Sequence, residues 1–190
     1  MTAGSASESD GALARRAVAG ERAAFNVLVR RYQEPLYRFI RRYVGDADEA
    51  YDLLQETMIS AWQALGRYDP ERPVLIWLRR IALNKCRDWG RRRAVRQFFF
   101  RATPLETAGV AVADEHDHQT DNLVRLDGAI AALPVQLKEP LLLTAFEGMS
   151  QQEAADALGL TVKAIETRVY RARKLLAEAL KKAAGNDEDG

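Results

Sequence analysis

The chain has 190 residues, 47% hydrophobic and 29% charged, a composition that suits one or two small soluble domains. Its formal net charge of +1 carries no information about a nucleic-acid partner, and its single cysteine, Cys86, excludes an intramolecular disulfide and fits a cytoplasmic location. No apolar run is long enough to span a bilayer, and the opening MTAGSASESDG lacks the basic segment and apolar core of a signal peptide.

Residues 1 to about 11 are small and polar and are expected to be disordered. Helical periodicity begins near Leu13. Phe25, Leu28, Val29 and Tyr32, then Leu36, Phe39, Ile40 and Tyr43, recur at helical spacing and read as core. Pro35 lies between the two sets, where it either begins a new helix or bends a long one. Gly45 breaks the pattern, and Asp46 and Glu49 then form a D-x-x-E start resembling a capping box.

The next helix carries a sustained stripe of Ala50, Leu53, Leu54, Thr57, Met58, Ala61, Trp62 and Leu65. On its outer side Asp52, Gln55 and Glu56 stand at i, i+3 and i+4 and form one polar patch. Three readings of that patch are open: a solvated helix face, a docking surface for a basic partner, or part of a carboxylate metal site for nuclease chemistry, drawing on Asp46, Asp48 and Glu49 as well. The last requires converging ligands, and no further His or Asp is in evidence to supply them. His116 and His118 form an isolated H-x-H without a second ligand cluster, so no metal site and no cofactor is expected.

GRYDPERP, residues 66–73, is a loop by its glycine and prolines, and Pro73 suits the first turn of the following helix, Val74 to about Arg93. Val74, Trp77, Leu78, Ile81 and Trp89 cluster on one side of that helix, and of two readings for the tryptophans, core residues or base-stacking platforms, the core is expected for both. Arg80, Asn84, Arg87 and Arg91 follow at four, three and four residues as a basic ridge suited to a nucleic-acid backbone. From Arg79 to Arg101 nine cations face one anion, Asp88, whereas from Ala102 to Ile130 six anions face one cation, Arg125. A basic block beside an acidic stretch implies two domains with different tasks. Phe98, Phe99 and Phe100 either close the first core or offer a partner contact. Ala102 to about Thr120 has no periodicity and reads as a flexible linker.

Helical pattern resumes at Leu123, Leu126, Ile130 and Leu133, is interrupted by Pro134, and returns with Leu137 and Leu141 to Phe146. Ser150 and Glu153 then form an S-x-x-E capping box. The short Ala-rich helix that follows ends at Gly159, and Thr161 is placed to cap the next one. Ile165, Val169, Ala172 and Leu176 share a face, and the opposite side carries Lys163, Glu166, Thr167, Tyr170, Arg171 and Lys174. Two helices at a tight turn, with an apolar inner and a polar, basic outer face, form a helix-turn-helix suited to the DNA major groove. Glu166 is anomalous there, since it repels phosphate, although it can accept a hydrogen bond from a cytosine amino group. Gly185 to Gly190 is an acidic tail, and no strand signal competes anywhere.

Four pieces in order, DADEAYDLLQET (46–57), WLRRIALNKCRDW (77–89), LP (133–134) and RVYRARKLL (168–176), give the chain its likeness to a known family. It resembles a bacterial RNA polymerase sigma factor of the extracytoplasmic-function (ECF) group within the sigma-70 family. The resemblance implies an all-α fold of two small helical domains joined by a flexible acidic linker. These are a region 2-like domain over 12–100, the linker over 101–122, and a region 4-like helix-turn-helix over 123–183. It implies that Asp52, Gln55 and Glu56 dock on the β′ clamp helices of core RNA polymerase. Arg80, Asn84, Arg87 and Arg91 would hold the melted −10 strand, with a flipped base against the 66–73 loop. Lys163, Glu166, Thr167, Tyr170, Arg171 and Lys174 would read the −35 duplex. The acidic linker would thread through the polymerase near the RNA exit path, and core polymerase would be met through its β′ clamp helices and its β subunit. An anti-sigma factor is the expected regulator, with Phe98–Phe100 as part of its contact. No catalytic residue and no membrane insertion are expected.

The chain departs from the family pattern at Val74, where an aromatic is common, and at Pro140, near which an arginine is common. It departs again at Ala164-Ile165-Glu166-Thr167, where Glu166 replaces a cation. The alternative reading is a stand-alone helix-turn-helix regulator, which accounts for the C-terminal motif but not for the docking patch and basic ridge together.

Overall fold

The computed structural model describes residues 8–101 and 118–185, with side chains described over 8–96 and 124–181. Every regular element among the described residues is helical. In order they are α1 (Asp10–Val18), α2 (Arg22–Val44), α3 (Ala47–Ala64) with a 3-10 turn at Leu65–Arg67, and α4 (Val74–Arg101). The later elements are α5 (His118–Ala132), α6 (Val135–Leu141) with a π-helical turn at Leu142–Phe146, α7 (Gln151–Leu158) and α8 (Val162–Gly185).

Contacts divide the chain into two compact units, one of Met1–Ile40 and Ala47–Trp89 and the other of Arg41–Asp46 and Gly90–Gly190. In the first, Leu28, Leu36, Phe39, Ile40, Leu53, Leu54, Ala61, Leu78, Ala82, Cys86 and Trp89 are buried. Each large apolar side chain withdrawn from water contributes roughly 1.5–3 kcal/mol before chain entropy opposes it. α2 runs unbroken through Pro35, so of the two readings of that proline the single long helix holds. Of the residues expected to be disordered, 1–7 lie outside the described residues, and 9–11 begin the fold instead. Ser9 caps α1, and the Asp10 carboxylate accepts from the Tyr32 hydroxyl and pairs with Arg31, which ties the first helix to the second.

α4 continues past the expected end near Arg93 to Arg101. Its tryptophans part company: Trp89 is buried and donates its Nε1–H to Glu49 at 2.7 Å, whereas Trp77 is only half-buried. The expectation that both are core residues is corrected for Trp77, whose ring lies against Tyr68 at 4.6 Å between centroids. Within the α3 stripe, Met58 and Trp62 are likewise only half-buried.

The second unit is built on α8. Ile165 and Ala172 are fully buried there, with Ile130, Leu141, Leu142, Leu143, Ala154 and Ala155. Arg41–Asp46 belongs to this unit: Tyr43 is buried, its hydroxyl donating to Glu139 at 3.1 Å, and the Lys138 ammonium donates to the Tyr43 carbonyl at 2.9 Å. Pro140 sits inside α6, and the ladder loosens directly after it, with Glu147 N–H reaching the Leu142 carbonyl at 3.0 Å. Residues 102–117, most of the expected linker, lie outside the described residues, as do the side chains of Phe98–Phe100.

Candidate nucleic-acid and polymerase interfaces

The loop before α4 is held by its own polar groups. Asp69 accepts from the Glu71 N–H at 3.1 Å and the Asp69 carbonyl from the Arg72 N–H at 3.0 Å, a turn typical of aspartate. The Tyr68 hydroxyl donates to the Arg72 carbonyl, which closes the loop on itself. Burial, then the nearby charges of Asp10, Asp69 and Glu71, push the Tyr68 phenol above its ordinary pKa, so it stays a neutral donor.

Against this loop α4 forms one wall of a cleft of about 710 Å³. Tyr68, Trp77, Ile76 and Ile81 give it apolar surface, and Arg67, Arg72, Arg80 and Asn84 give it cations and an amide. An aromatic wall beside guanidinium groups is what a single unpaired base and its phosphates require. Two of the four ridge residues, Arg80 and Asn84, therefore line the cleft. Arg87 and Arg91 continue the row on α4, half-buried and exposed respectively. Sequence reasoning treated 66–73 as a loop and did not single out Arg67, Tyr68, Arg72 or Ile76. An aromatic flanked by arginines within a proline-bounded turn was the available signal.

On α3, Asp52 and Gln55 are exposed, while Glu56 is half-buried and pairs with Lys85 of α4 at 3.7 Å. The acids of the nuclease alternative do not converge. Glu49 is engaged by Trp89 and Glu56 by Lys85, and no group of three His, Cys, Asp or Glu that could hold a metal exists among the described residues. Farther along α3, Met58, Ile59 and Trp62 with Arg22, Phe25 and Asn26 of α2 form an open groove of about 450 Å³, a second feature missed from the sequence. The Trp62 ring packs on Phe25 at 5.2 Å, with the Arg22 guanidinium 5.8 Å from its centre.

The C-terminal pair of helices takes the expected form. The Ser150 backbone N–H donates to Glu153 at 2.8 Å and the Glu153 N–H to the Ser150 hydroxyl at 3.2 Å, completing the capping box. Gly159 closes α7 in the left-handed conformation at φ 66°, where any side chain is strained. Thr161 accepts from the Ala164 N–H at 3.2 Å and starts α8. With Ile165, Ala172 and Leu176 buried, the opposite face is fixed outward: Lys163, Glu166, Thr167, Tyr170, Arg171 and Lys174 are all exposed.

Two conserved-region models match the chain, Sigma-70 region 2 over residues 28–96 and Sigma-70 region 4 over 123–176. The chain is 40% identical over 181 residues to the RNA polymerase sigma factor CnrH of Cupriavidus metallidurans, covering 91% of this chain and 95% of that protein. It belongs to the sigma-70 family, in the ECF group. As a sigma factor it directs core RNA polymerase to promoters and initiates transcription there. It is also similar to the ECF sigma factor SigM of Mycobacterium tuberculosis, 33% identical over 172 residues, 90% of this chain and 85% of that one. Among solved structures, CnrH in complex with the cytosolic domain of CnrY aligns with a TM-score of 0.68 at 34% identity, covering 92% of this chain and 99% of that one. The sigma factor RpoE of Bartonella quintana, in complex with the anti-sigma factor NepR, aligns with a TM-score of 0.67 at 25% identity over 83% and 96% of the two chains. No helix among the described residues of this sigma factor is long and apolar enough to cross a membrane.

Proposed function

We propose that this sigma factor acts on promoter DNA in two states, through different parts of its chain. The outer face of α3, with Asp52, Gln55 and Glu56, docks on the basic β′ clamp helices of core polymerase. The cleft between the 66–73 loop and α4 captures a base flipped from the non-template strand of the −10 element, while Arg80, Asn84, Arg87 and Arg91 hold that strand's backbone. The outer face of α8 enters the major groove of the −35 element through Lys163, Glu166, Thr167, Tyr170, Arg171 and Lys174. The observation that carries this reading is the cleft itself: an aromatic wall at the mouth of a cationic helix, in the same chain as a capped helix-turn-helix.

The sigma factor contributes binding energy rather than bond chemistry, and nucleotide addition stays with the polymerase. Holding a base on an aromatic surface contributes about 1–3 kcal/mol, comparable with the few kcal/mol needed to unstack and unpair it. Melting is then capture of a transiently open duplex. We further propose that the protein works in the cytoplasm, where its polymerase is, and that an anti-sigma factor restrains it. The solved complexes of CnrH with CnrY and of RpoE with NepR support that restraint.

The test is run-off transcription with purified bacterial core polymerase on a genomic promoter library, with and without the protein. Protein-dependent start sites are expected, and Asp52→Arg with Glu56→Arg should abolish them. If no start sites appear while the protein alone shifts duplex DNA, it is a stand-alone regulator and the α3 patch is a solvated helix face.

A further inference from the structure

Four side chains near the start of α8, those of Lys163, Glu166, Thr167 and Tyr170, face outward, and they are not equivalent. The Thr167 hydroxyl donates to the Lys163 carbonyl of its own helix at 2.9 Å, so its proton is committed and it offers a base only an acceptor oxygen and a methyl group. Tyr170 stands free at 71% exposure. Lys163 and Glu166 are joined: the ammonium lies 3.2 Å from a Glu166 carboxylate oxygen. This pair is solvent-facing, with the Lys163 side chain 85% exposed and that of Glu166 43%. Such a pair adds little to stability, so its arrangement is open to another use.

We infer that Lys163 and Glu166 read one C·G base pair of the −35 element as a unit. The inference rests on α8 being the −35 reader. A carboxylate only accepts hydrogen bonds. Along the major-groove edge guanine presents two acceptors, thymine an acceptor and a methyl, and adenine an acceptor beside its donor; cytosine alone presents a donor with no acceptor beside it. Glu166 therefore selects cytosine and is repelled in differing degree by the other three. Within the same base pair, the guanine O6 lies about 2.9 Å from that cytosine amino nitrogen, the length of an ordinary hydrogen bond. The pair thus carries a donor and an acceptor side by side, at nearly the spacing of the Lys163 ammonium and the Glu166 oxygen. Glu166 accepts from the cytosine N4 amino group while Lys163 donates to the guanine O6 and N7. The lysine also offsets the repulsion between Glu166 and the flanking phosphates, which explains how an acid is tolerated on a DNA-facing helix.

The experiment forms holoenzyme from core polymerase with the full-length protein and selects bound duplexes from a library randomised upstream of a fixed −10 element. Wild type is expected to require a C·G pair at one upstream position, by about tenfold over the other pairs. Glu166→Ala should flatten that position alone, and Lys163→Ala should weaken it. The double variant should go no further there than Glu166→Ala, because the two act together. Glu166→Gln should move the same position towards adenine, whose adjacent donor and acceptor suit an amide. That gain of a new preference cannot come from a misfolded variant, which would lose every position at once. Retention of the wild-type preference at all positions by Glu166→Ala and Glu166→Gln overturns the assignment. If instead the wild-type holoenzyme shows no upstream preference, α8 is not the −35 reader, and the assignment falls with that reading.

Discussion

The cleft at the start of α4 and the outer face of α8 present the same chemistry, cations beside an aromatic ring, in opposite shapes. The cleft is concave, and its Trp77 is half withdrawn against Tyr68. The α8 face is convex, and its Tyr170 stands clear of the protein. A hollow admits a base only after it has left the stack, whereas a bare helix fits a groove whose bases remain paired. On the proposed reading, shape rather than residue type separates a surface for single-stranded DNA from one for duplex DNA. The supports differ in kind as well. The cleft depends on a loop closed by polar contacts, and the helix on an apolar seam through Ile165, Ala172 and Leu176.

Breaking the seam should have the largest effect. Ile165 is fully buried, and Ile165→Ala should cost about 2–5 kcal/mol in the unit that contains it. Hydrogen exchange should then show faster opening of α7 and α8 amides while those of α3 and the buried part of α4 keep their protection. Equal loss in both would mean that the two surfaces do not have separate supports. Next comes Trp77→Ala, which removes the cleft's aromatic wall. Open-complex stability on a promoter should fall by about 1–3 kcal/mol, from lost stacking. Recruitment to a duplex bearing only the −35 element should not change. Trp77→Phe should restore most of the loss, and an equal defect on both templates would remove the distinction between concave and convex sites.

How legible these surfaces were follows from how local their determinants are. The helix-turn-helix could be read in advance because its cap, its left-handed glycine and its three-four apolar spacing all lie within 27 consecutive residues, Ser150 to Leu176. The cleft was half legible. Arg80 and Asn84 showed as a ridge by periodicity, but Tyr68 and Arg72 join it only because the loop folds back over α4, which spacing does not encode. Trp77 was misjudged for the same reason, since its type favours burial and only the neighbouring loop decides how much of it is covered. The groove formed by Arg22, Phe25 and Trp62 was hidden because it needs residues from two helices more than thirty positions apart. The involvement of Arg41–Asp46 in the second unit was equally invisible, as Tyr43 fitted the core periodicity of α2 and nothing local marked Glu139 as its partner.

The smallest effect concerns the polar end of the convex surface, where the comparison sharpens to a single cap. Ser150→Ala removes the hydroxyl that accepts from the Glu153 N–H and should cost about 1 kcal/mol. It leaves the hydrogen bond from the Ser150 backbone N–H to the Glu153 carboxylate, and that bond is the main reason, followed by the Ser150 hydroxyl, why Glu153 titrates below its ordinary value of 4.5. A carboxylate whose pKa is lower in the folded state contributes stability above its unfolded pKa and loses it as pH falls through the folded one. Acidification below pH 4.5 should therefore loosen α7 in the wild type, still do so in Ser150→Ala, and do so less in Glu153→Gln, which has no charge to lose. Amide protection across Gln151–Leu158 at descending pH measures this. Equal loosening of α7 in the wild type and in Glu153→Gln would show that acid acts on the chain at large and not through the cap.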